Sequence, residues 1–493
     1  MKHIVIGIDG GTEKILRHFE MPFTQKLLDQ SGSETLHEDV WSRGWAEMYT
    51  GLHARDTKAF YQLPYLDGTH RFHRKYNWKD SMENPEVKPL WDLLDERGVK
   101  TLFMNIPTTF PTPQLKNGIF VAGAGGGLND LSKILDGMCS SEEVRNRLEE
   151  LNYIVDLRYQ TSGITELELL FKGLDDMMLK RAECFVALAK EYHSEFGFLA
   201  FRATTIVQYV AYSEIEILMG ESEMSELDLQ GTKDDRPIHK LLREHYRKLD
   251  QALELVFTEL APENFILTAD HATVPFLKRA NMNPLLSKLG FQQTAKTGQS
   301  LKQLVGRFIP GKWMAKIALK TPKSIREATR GFNVGQAKAF SCHDVHGVYV
   351  NDSRRFNGPV QEGAELDALV EELCEKLNSD QEFKDHQMTA SKYRSRYKDA
   401  HFADLLPDVW IERPEEIFFD GIGSKFVEPN PNYAPITGLH EVPRDVNSGQ
   451  KGKHPIFVFN RELAEQIAAD PRNDLTKVYS TTDRIFSNAS EGQ

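Results

Sequence analysis

The chain has 493 residues, a net charge of -12 and a sequence pI near 5.8. This acidic balance excludes a broad binder of nucleic-acid backbone, whose nonspecific affinity would come from accumulated positive charge. The apolar share of 40% with 10% aromatics suffices for a substantial core, and no stretch is biased enough to read as disordered.

The N-terminus opens with a β-branched apolar run, Ile4 to Ile8, that ends at Asp9 and is followed by GGT and the helical stretch EKILRHF. A strand, a tight turn and a helix in that order begin a doubly wound sheet. The run reaches its aspartate too soon for a signal peptide or a membrane span, so a cytoplasmic protein is expected. Cys139, Cys184, Cys342 and Cys374 agree, since they lie far apart without metal-type pairing and read as reduced thiols.

Further along, WDLLDERGVKTLFMNIP predicts an amphipathic helix stopped near Gly98 and then a buried strand from Lys100 to Ile106. The glycines of GAGGGLND, at 123 to 130, follow a predicted strand without the helix and acidic partner of a dinucleotide fingerprint, so they read as a turn. Phe196 to Phe201 is another apolar strand, and KLLREHYRKLDQALELVFTEL is a long amphipathic helix leading into FILTADHATVP, residues 265 to 275. There a buried strand ends at Asp270 and His271, the position at which open α/β sheets place their ligands. The fold class expected is therefore α/β: a doubly wound, mostly parallel sheet with helices on both faces. The whole chain reads as one catalytic domain, with helical cap insertions at about 52–90, 126–180 and 290–345. The last of these is basic and either faces an anionic ligand or is a solvated helix face. His343 and His346 in SCHDVHGVYV have a spacing that can bind metal, yet they precede a strand and read as a solvated turn.

Several segments in order make the reading specific: VIGIDGG, WAEMYTG, LWDLLDERGVKTLFMNIPTTFP, YRKLDQALEL, LTADHA, GVYVNDSRRFNGPV and TGLHEVP. Together they resemble the alkaline phosphatase superfamily, in particular its type I phosphodiesterase and nucleotide pyrophosphatase-like branch. The resemblance implies a two-metal phosphoryl-transfer site, usually zinc, with ions about 4 Å apart. Asp9, Asp270 and His271 correspond to ligands of one divalent ion. The competing readings are an N-cap for Asp9 and backbone-satisfied loop residues for the Asp-His pair.

The chain departs from the family at the other ion. Members carry Asp and His four residues apart on one helical turn, whereas FRATTIVQYVAY has Thr205 and Tyr209 at those positions and retains Gln208. Neither is an ordinary zinc ligand, so one ion is expected rather than two. A C-terminal histidine ligand is implied as well, either His440 in TGLHEVP or His454 in GKHPIFVF, and each has a surface reading beside the metal one. The implied nucleophile lies nine residues before Thr50, which is Trp41, with Ser42 next to it. Ser42 is the catalytic candidate, and its competing role is N-cap of the WAEMYTG helix.

The function expected is a metal-dependent phosphoester hydrolase or transferase, acting on a phosphodiester or phosphomonoester with a reduced metal site. The alternatives are a divergent, non-hydrolytic binding or regulatory module and an enzyme catalysing a different group transfer. Its partner would be a small anionic phosphate-containing substrate, with no broad nucleic-acid binding and no membrane, and a homodimer is among the oligomeric states left open.

Overall fold

The computed structural model describes all residues except 129, 158–165, 223–235, 294–334, 422–424, 437, 440–446 and 488–493. His440 and most of the basic insertion at 290–345 therefore lie outside the described residues. The chain forms two compact units, one of residues 1–60, 75–276 and 431–493, the other of 61–74 and 277–430.

The first unit is built on a seven-stranded sheet. Its order is Gly32–Ser33, Phe457–Phe459, Asn264–Thr268, His3–Ile8, Phe196–Phe201, Thr101–Met104 and Gly118–Val121. The five strands from Asn264–Thr268 to Gly118–Val121 run parallel, and Phe457–Phe459 adds an antiparallel margin. The mostly parallel α/β sheet is the one expected. His3–Ile8 is central and wholly buried because both of its faces are covered. Ile4, Ile6 and Ile8 join a core with buried residues of the Leu167–Glu191 and Pro237–Leu260 helices. The opposite face is aromatic: Trp45 of the Gly44–Thr50 helix meets Phe198, and Trp91 of the Leu90–Glu96 helix meets Phe103. Alternation along each strand is what separates these two cores.

The strand expected from Lys100 to Ile106 is shorter, Thr101–Met104, because Asn105 takes a left-handed φ of 62° and turns the chain toward PTTFP. The segment 126–180, expected to be mostly helical, is helical over Glu142–Glu150 and from Leu167 onward.

The Gly44–Thr50 helix packs with the C-terminal Thr476–Ser487 helix, and a buried carboxyl pair lies close to where they meet. Glu38 Oε1 accepts from the Leu475 amide at 2.9 Å. Burial, reinforced by the charge of Glu47, pushes Glu38 well above the usual carboxylate range. Burial also raises Glu47, against a hydrogen bond from His53. Because the folded pKa of Glu38 exceeds its unfolded value near 4.5, the folded state keeps the proton, and stability falls as pH rises above that value. The slope is at most about 1.4 kcal/mol per pH unit for one proton. Glu38→Gln, with a neutral amide in the same place, should flatten this decline and raise the melting temperature at pH 8. Parallel thermal-melt series from pH 5 to pH 9 would check it, and identical slopes would show that Glu38 is ionised in the folded protein.

The second unit has a four-stranded sheet in the order Ala339–Phe340, Gly347–Val350, Val409–Glu412 and Thr389–Lys392. The Ala364–Ser379 helix covers it through Leu366, Leu369, Val370, Leu373 and Leu377, an i, i+3, i+4, i+7, i+11 stripe. His346 is buried beside Arg413 Nη2 at 3.3 Å, which corrects the solvated turn expected for it. His343 donates from Nδ1 to the Asp420 carbonyl at 2.6 Å and takes a bond from Arg74.

Candidate metal centre

Asp9 sits just past the carboxyl end of the central strand, its amide donating to the Phe201 carbonyl at 2.8 Å. The turn behind it requires glycine at residue 10, where φ is +75° and a Cβ would stand 2.5 Å from Thr273 Oγ1 and 2.7 Å from Gln208 Oε1. The following helix, Glu13–His18, is capped by Thr12, which accepts from the Ile15 amide at 3.3 Å. Asp9 is therefore not the N-cap, and its carboxylate turns into the site.

The neighbouring strand Asn264–Thr268 runs in parallel register with His3–Ile8, pairing Gly7 with Thr268, so Asp270 and His271 emerge beside Asp9. Carboxylate and imidazole atoms of Asp9, Asp270 and His271 all lie within 4.8 Å of one another, and all three side chains are buried. This is the one group of its kind among the described residues. His271 Nδ1 lies 2.7 Å from the Ala272 carbonyl, which can only accept, so the ring proton is on Nδ1. The Nε2 lone pair then faces Asp270 Oδ2 at 3.5 Å and Asp9 Oδ1 at 3.7 Å. Tyr209 OH donates to it at 3.4 Å, and the two rings lie nearly parallel.

Burial pushes the Asp9 carboxyl up to about 7, and the Asp270 charge adds to the rise, while His271 and Arg202 oppose it. Asp9 Oδ1 accepts no hydrogen bond from the described residues. Two crowded buried carboxylates and an imidazole with its lone pair turned toward them fit a divalent cation, whose charge would relieve the repulsion. The carbonyl bond at Nδ1 is the usual outer support that fixes the orientation of a ligating histidine.

The remaining candidates fall elsewhere. Thr205 and Tyr209 share one face of the Ala203–Met219 helix, and neither brings a carboxylate or imidazole to the group. Gln208 donates to Tyr246 OH at 3.0 Å. His454 is not in the group that lies within 4.8 Å; its Nδ1 is bonded to the Leu36 carbonyl at 2.9 Å and its ring is 5.2 Å from that of His37. Trp41 is fully buried and stacked on Phe60. Ser42 is not the cap of its helix, which starts at Gly44 with Arg43 as N-cap and no side-chain cap bond. Instead Ser42 Oγ donates to Asp39 Oδ2 at 2.8 Å and its amide to Asp39 Oδ1 at 2.7 Å. The helix approaches so closely that a Cβ on Gly44 would stand 2.2 Å from the Asp270 carbonyl oxygen.

Sequence reasoning passed over two residues here. Arg202 lies 3.5 Å from Asp9 Oδ2 through Nε and donates to Asp156 Oδ2 at 2.7 Å through Nη1. For Arg202 the available signal was its place directly after an apolar strand; for Asp156 there was none.

No protein-family model matches the sequence, and no curated protein matches it. Among solved structures, phosphonoacetate hydrolase from Sinorhizobium meliloti 1021 in complex with phosphonoacetate is similar over 99% of this chain and 96% of that one. It has 10% identity and a TM-score of 0.56. The same protein in complex with phosphonoformate gives 0.54. Human ectonucleotide pyrophosphatase/phosphodiesterase 5 aligns over 99% of this chain and 95% of its own at 11% identity, with a TM-score of 0.46, too low to weigh. At such identity the likeness shows the fold alone.

Proposed function

We propose that this chain, built on the alkaline phosphatase superfamily fold, is a metal-dependent phosphoester hydrolase or transferase that works with one divalent ion, zinc by the nature of its ligands. The observation that carries this reading is the convergence of Asp9, Asp270 and His271 within 4.8 Å at the carboxyl edge of the sheet. A hydrolase sharing the fold supports it. A bound ion would supply Lewis-acid polarisation of a phosphoryl oxygen.

The chain's own residues do the rest. Asp9 and Asp270 would provide the negative charge that holds an ion, and the His271 proton on Nδ1 fixes the ring so that Nε2 faces the two carboxylates. The Tyr209 ring lies nearly parallel to that of His271, and its hydroxyl, which donates to Nε2, would give up that lone pair to an ion. We assign Ser42 as nucleophile, its Oγ 2.8 Å from Asp39 Oδ2: the serine proton passes to the Asp39 carboxylate as Oγ attacks phosphorus and the ester P–O bond breaks. The departing alkoxide takes a proton from water, and the hydroxide so formed cleaves the phosphoserine as Asp39 returns its proton to the serine oxygen. The separated cysteines form no disulfide among the described residues, which supports a cytosolic setting, and no described helix is long and apolar enough to cross a membrane.

Metal analysis of the purified protein tests the reading: one equivalent per chain is expected, two would reveal a second site, and none would remove the enzyme. Ser42→Ala should keep that equivalent while lowering hydrolysis of bis(p-nitrophenyl) phosphate by on the order of a hundredfold or more. One observation favours a second reading, a non-hydrolytic module: the residue at the position the family uses for its nucleophile is Trp41, locked in the core. A Ser42→Ala rate equal to wild type would remove the serine from catalysis, and no turnover in either protein would favour the module.

A further inference from the structure

Beside the metal cluster stands a set of hydrogen-bond donors that the chemistry above leaves unused. Arg202 directly follows the Phe196–Phe201 strand and is N-cap of the Ala203–Met219 helix, which has no side-chain cap bond. Its guanidinium is held between Asp156, 2.7 Å from Nη1, and Asp9, 3.5 Å from Nε. In the first turn of the same helix, the hydroxyls of Thr204 and Thr205 are buried, at 0% and 5% exposure, and neither has a hydrogen-bond partner among the described residues. Thr205 Oγ1 lies 3.1 Å from where a Cβ on Gly10 would stand, so it faces the residue next to Asp9.

These features share one sign. The first amides of a helix have no intrahelical acceptor and carry the positive end of the helix dipole. A guanidinium adds a full charge in a fork that matches the oxygens of a phosphoryl group. A second cation would meet Arg202 as a like charge, whereas an oxyanion would meet the guanidinium, the threonine hydroxyls and the helix amides, with the Asp9 and Asp156 carboxylates already engaged by Arg202 on their own side.

We propose that Arg202, Thr205 and the amino end of the Ala203–Met219 helix form an oxyanion pocket. It takes a nonbridging oxygen of the substrate's phosphoryl group where a second ion would otherwise hold it. The pocket rests on the phosphoester reading above. Arg202 and Thr205 touch the substrate, and Asp156 is a positioning residue that keeps the guanidinium from folding wholly onto Asp9. Preorganised donors in a buried site stabilise developing charge without reorganising during reaction.

The test is calorimetric titration of inorganic phosphate into zinc-loaded protein, with zinc content measured for each variant. Arg202→Gln is combined with Asp156→Asn so that Asp156 is not left as a stranded buried carboxylate, while Asp9 keeps zinc as its counter-charge in the zinc-loaded protein. The double variant should bind phosphate on the order of 10–100-fold more weakly, the range of one or two charge-assisted hydrogen bonds. Thr205→Val should lose roughly 5–10-fold, Thr205→Ser should match wild type, and added guanidinium should restore part of the loss in the double variant. Zinc stays at one equivalent throughout. Wild-type phosphate affinity in both the double variant and Thr205→Val, with zinc retained, overturns the pocket and leaves the single-ion reading intact. A second zinc that Thr205→Val removes shows a metal site here and also overturns it. Wild-type protein that holds no zinc brings down the functional reading, and the pocket with it.

Discussion

Asp270→Asn is expected to reduce bound divalent metal from one equivalent to less than about a tenth, and phosphoester hydrolysis by on the order of a thousandfold or more. Loss of a group that merely orients a ligand costs about 10–100-fold in affinity or activity, and Asp270 is assigned as a ligand itself. It would be one of three protein ligands, so its removal leaves a carboxylate and an imidazole, too few for a tetrahedral site. The asparagine is isosteric, which keeps the packing around Gly44 and the Asp270 carbonyl. It also removes a buried like charge that helps to push Asp9 upward. The metal-free variant should therefore melt no lower than metal-free wild type, which separates loss of the site from loss of the fold. Metal analysis, steady-state hydrolysis and thermal melts on the same preparations decide it. Full metal occupancy in Asp270→Asn would move the ion elsewhere.

Arg355→Met is expected to destabilise the protein by about 3–5 kcal/mol, the cost of breaking a buried ion pair by removing one partner. Arg355 is almost fully buried within GVYVNDSRRFNGPV. Its Nε bonds Asp352 Oδ2 at 2.6 Å, its Nη2 bonds Asp408 Oδ2 at 2.5 Å, and Nη1 donates to the Leu406 carbonyl at 3.1 Å. Asp408 in turn accepts from the Val350 amide at 2.7 Å and from Arg394 Nε at 2.7 Å. Methionine fills much of the volume but leaves two buried carboxylates short of a cation, so the loss is electrostatic more than steric. Chemical denaturation would show the midpoint shift, and adding Asp352→Asn should recover part of it. A shift under about 1 kcal/mol would mean that water reaches the carboxylates once the arginine is gone. The GVYVNDSRRFNGPV segment, one of those that carry the sequence resemblance, is thus a structural brace in the second unit.

What was legible in the sequence follows from range. The β-branched run before Asp9, the turn behind it and the strand before Asp270 are local patterns, and two strands in parallel register bring their carboxyl ends to one edge. Asp9, Asp270 and His271 could therefore be placed at strand ends from local pattern, while their role as ligands came from the resemblance. Ser42 was legible as a position but not as a role, because its helix begins two residues later and its partner Asp39 acts through a turn that no periodicity announces.

By itself the sequence determined the alternation of strand and helix and the burial of both faces of the central strand. Those are matters of residue type and short-range period. Only the tertiary structure decided that Thr12 rather than Asp9 caps the first helix, that His454 turns to Leu36, and that Asp156 crosses to Arg202 beside Asp9. The reason is physical: a side chain's charge partner is chosen by which element the packed core brings within a few ångströms, and chain separation carries no record of that choice.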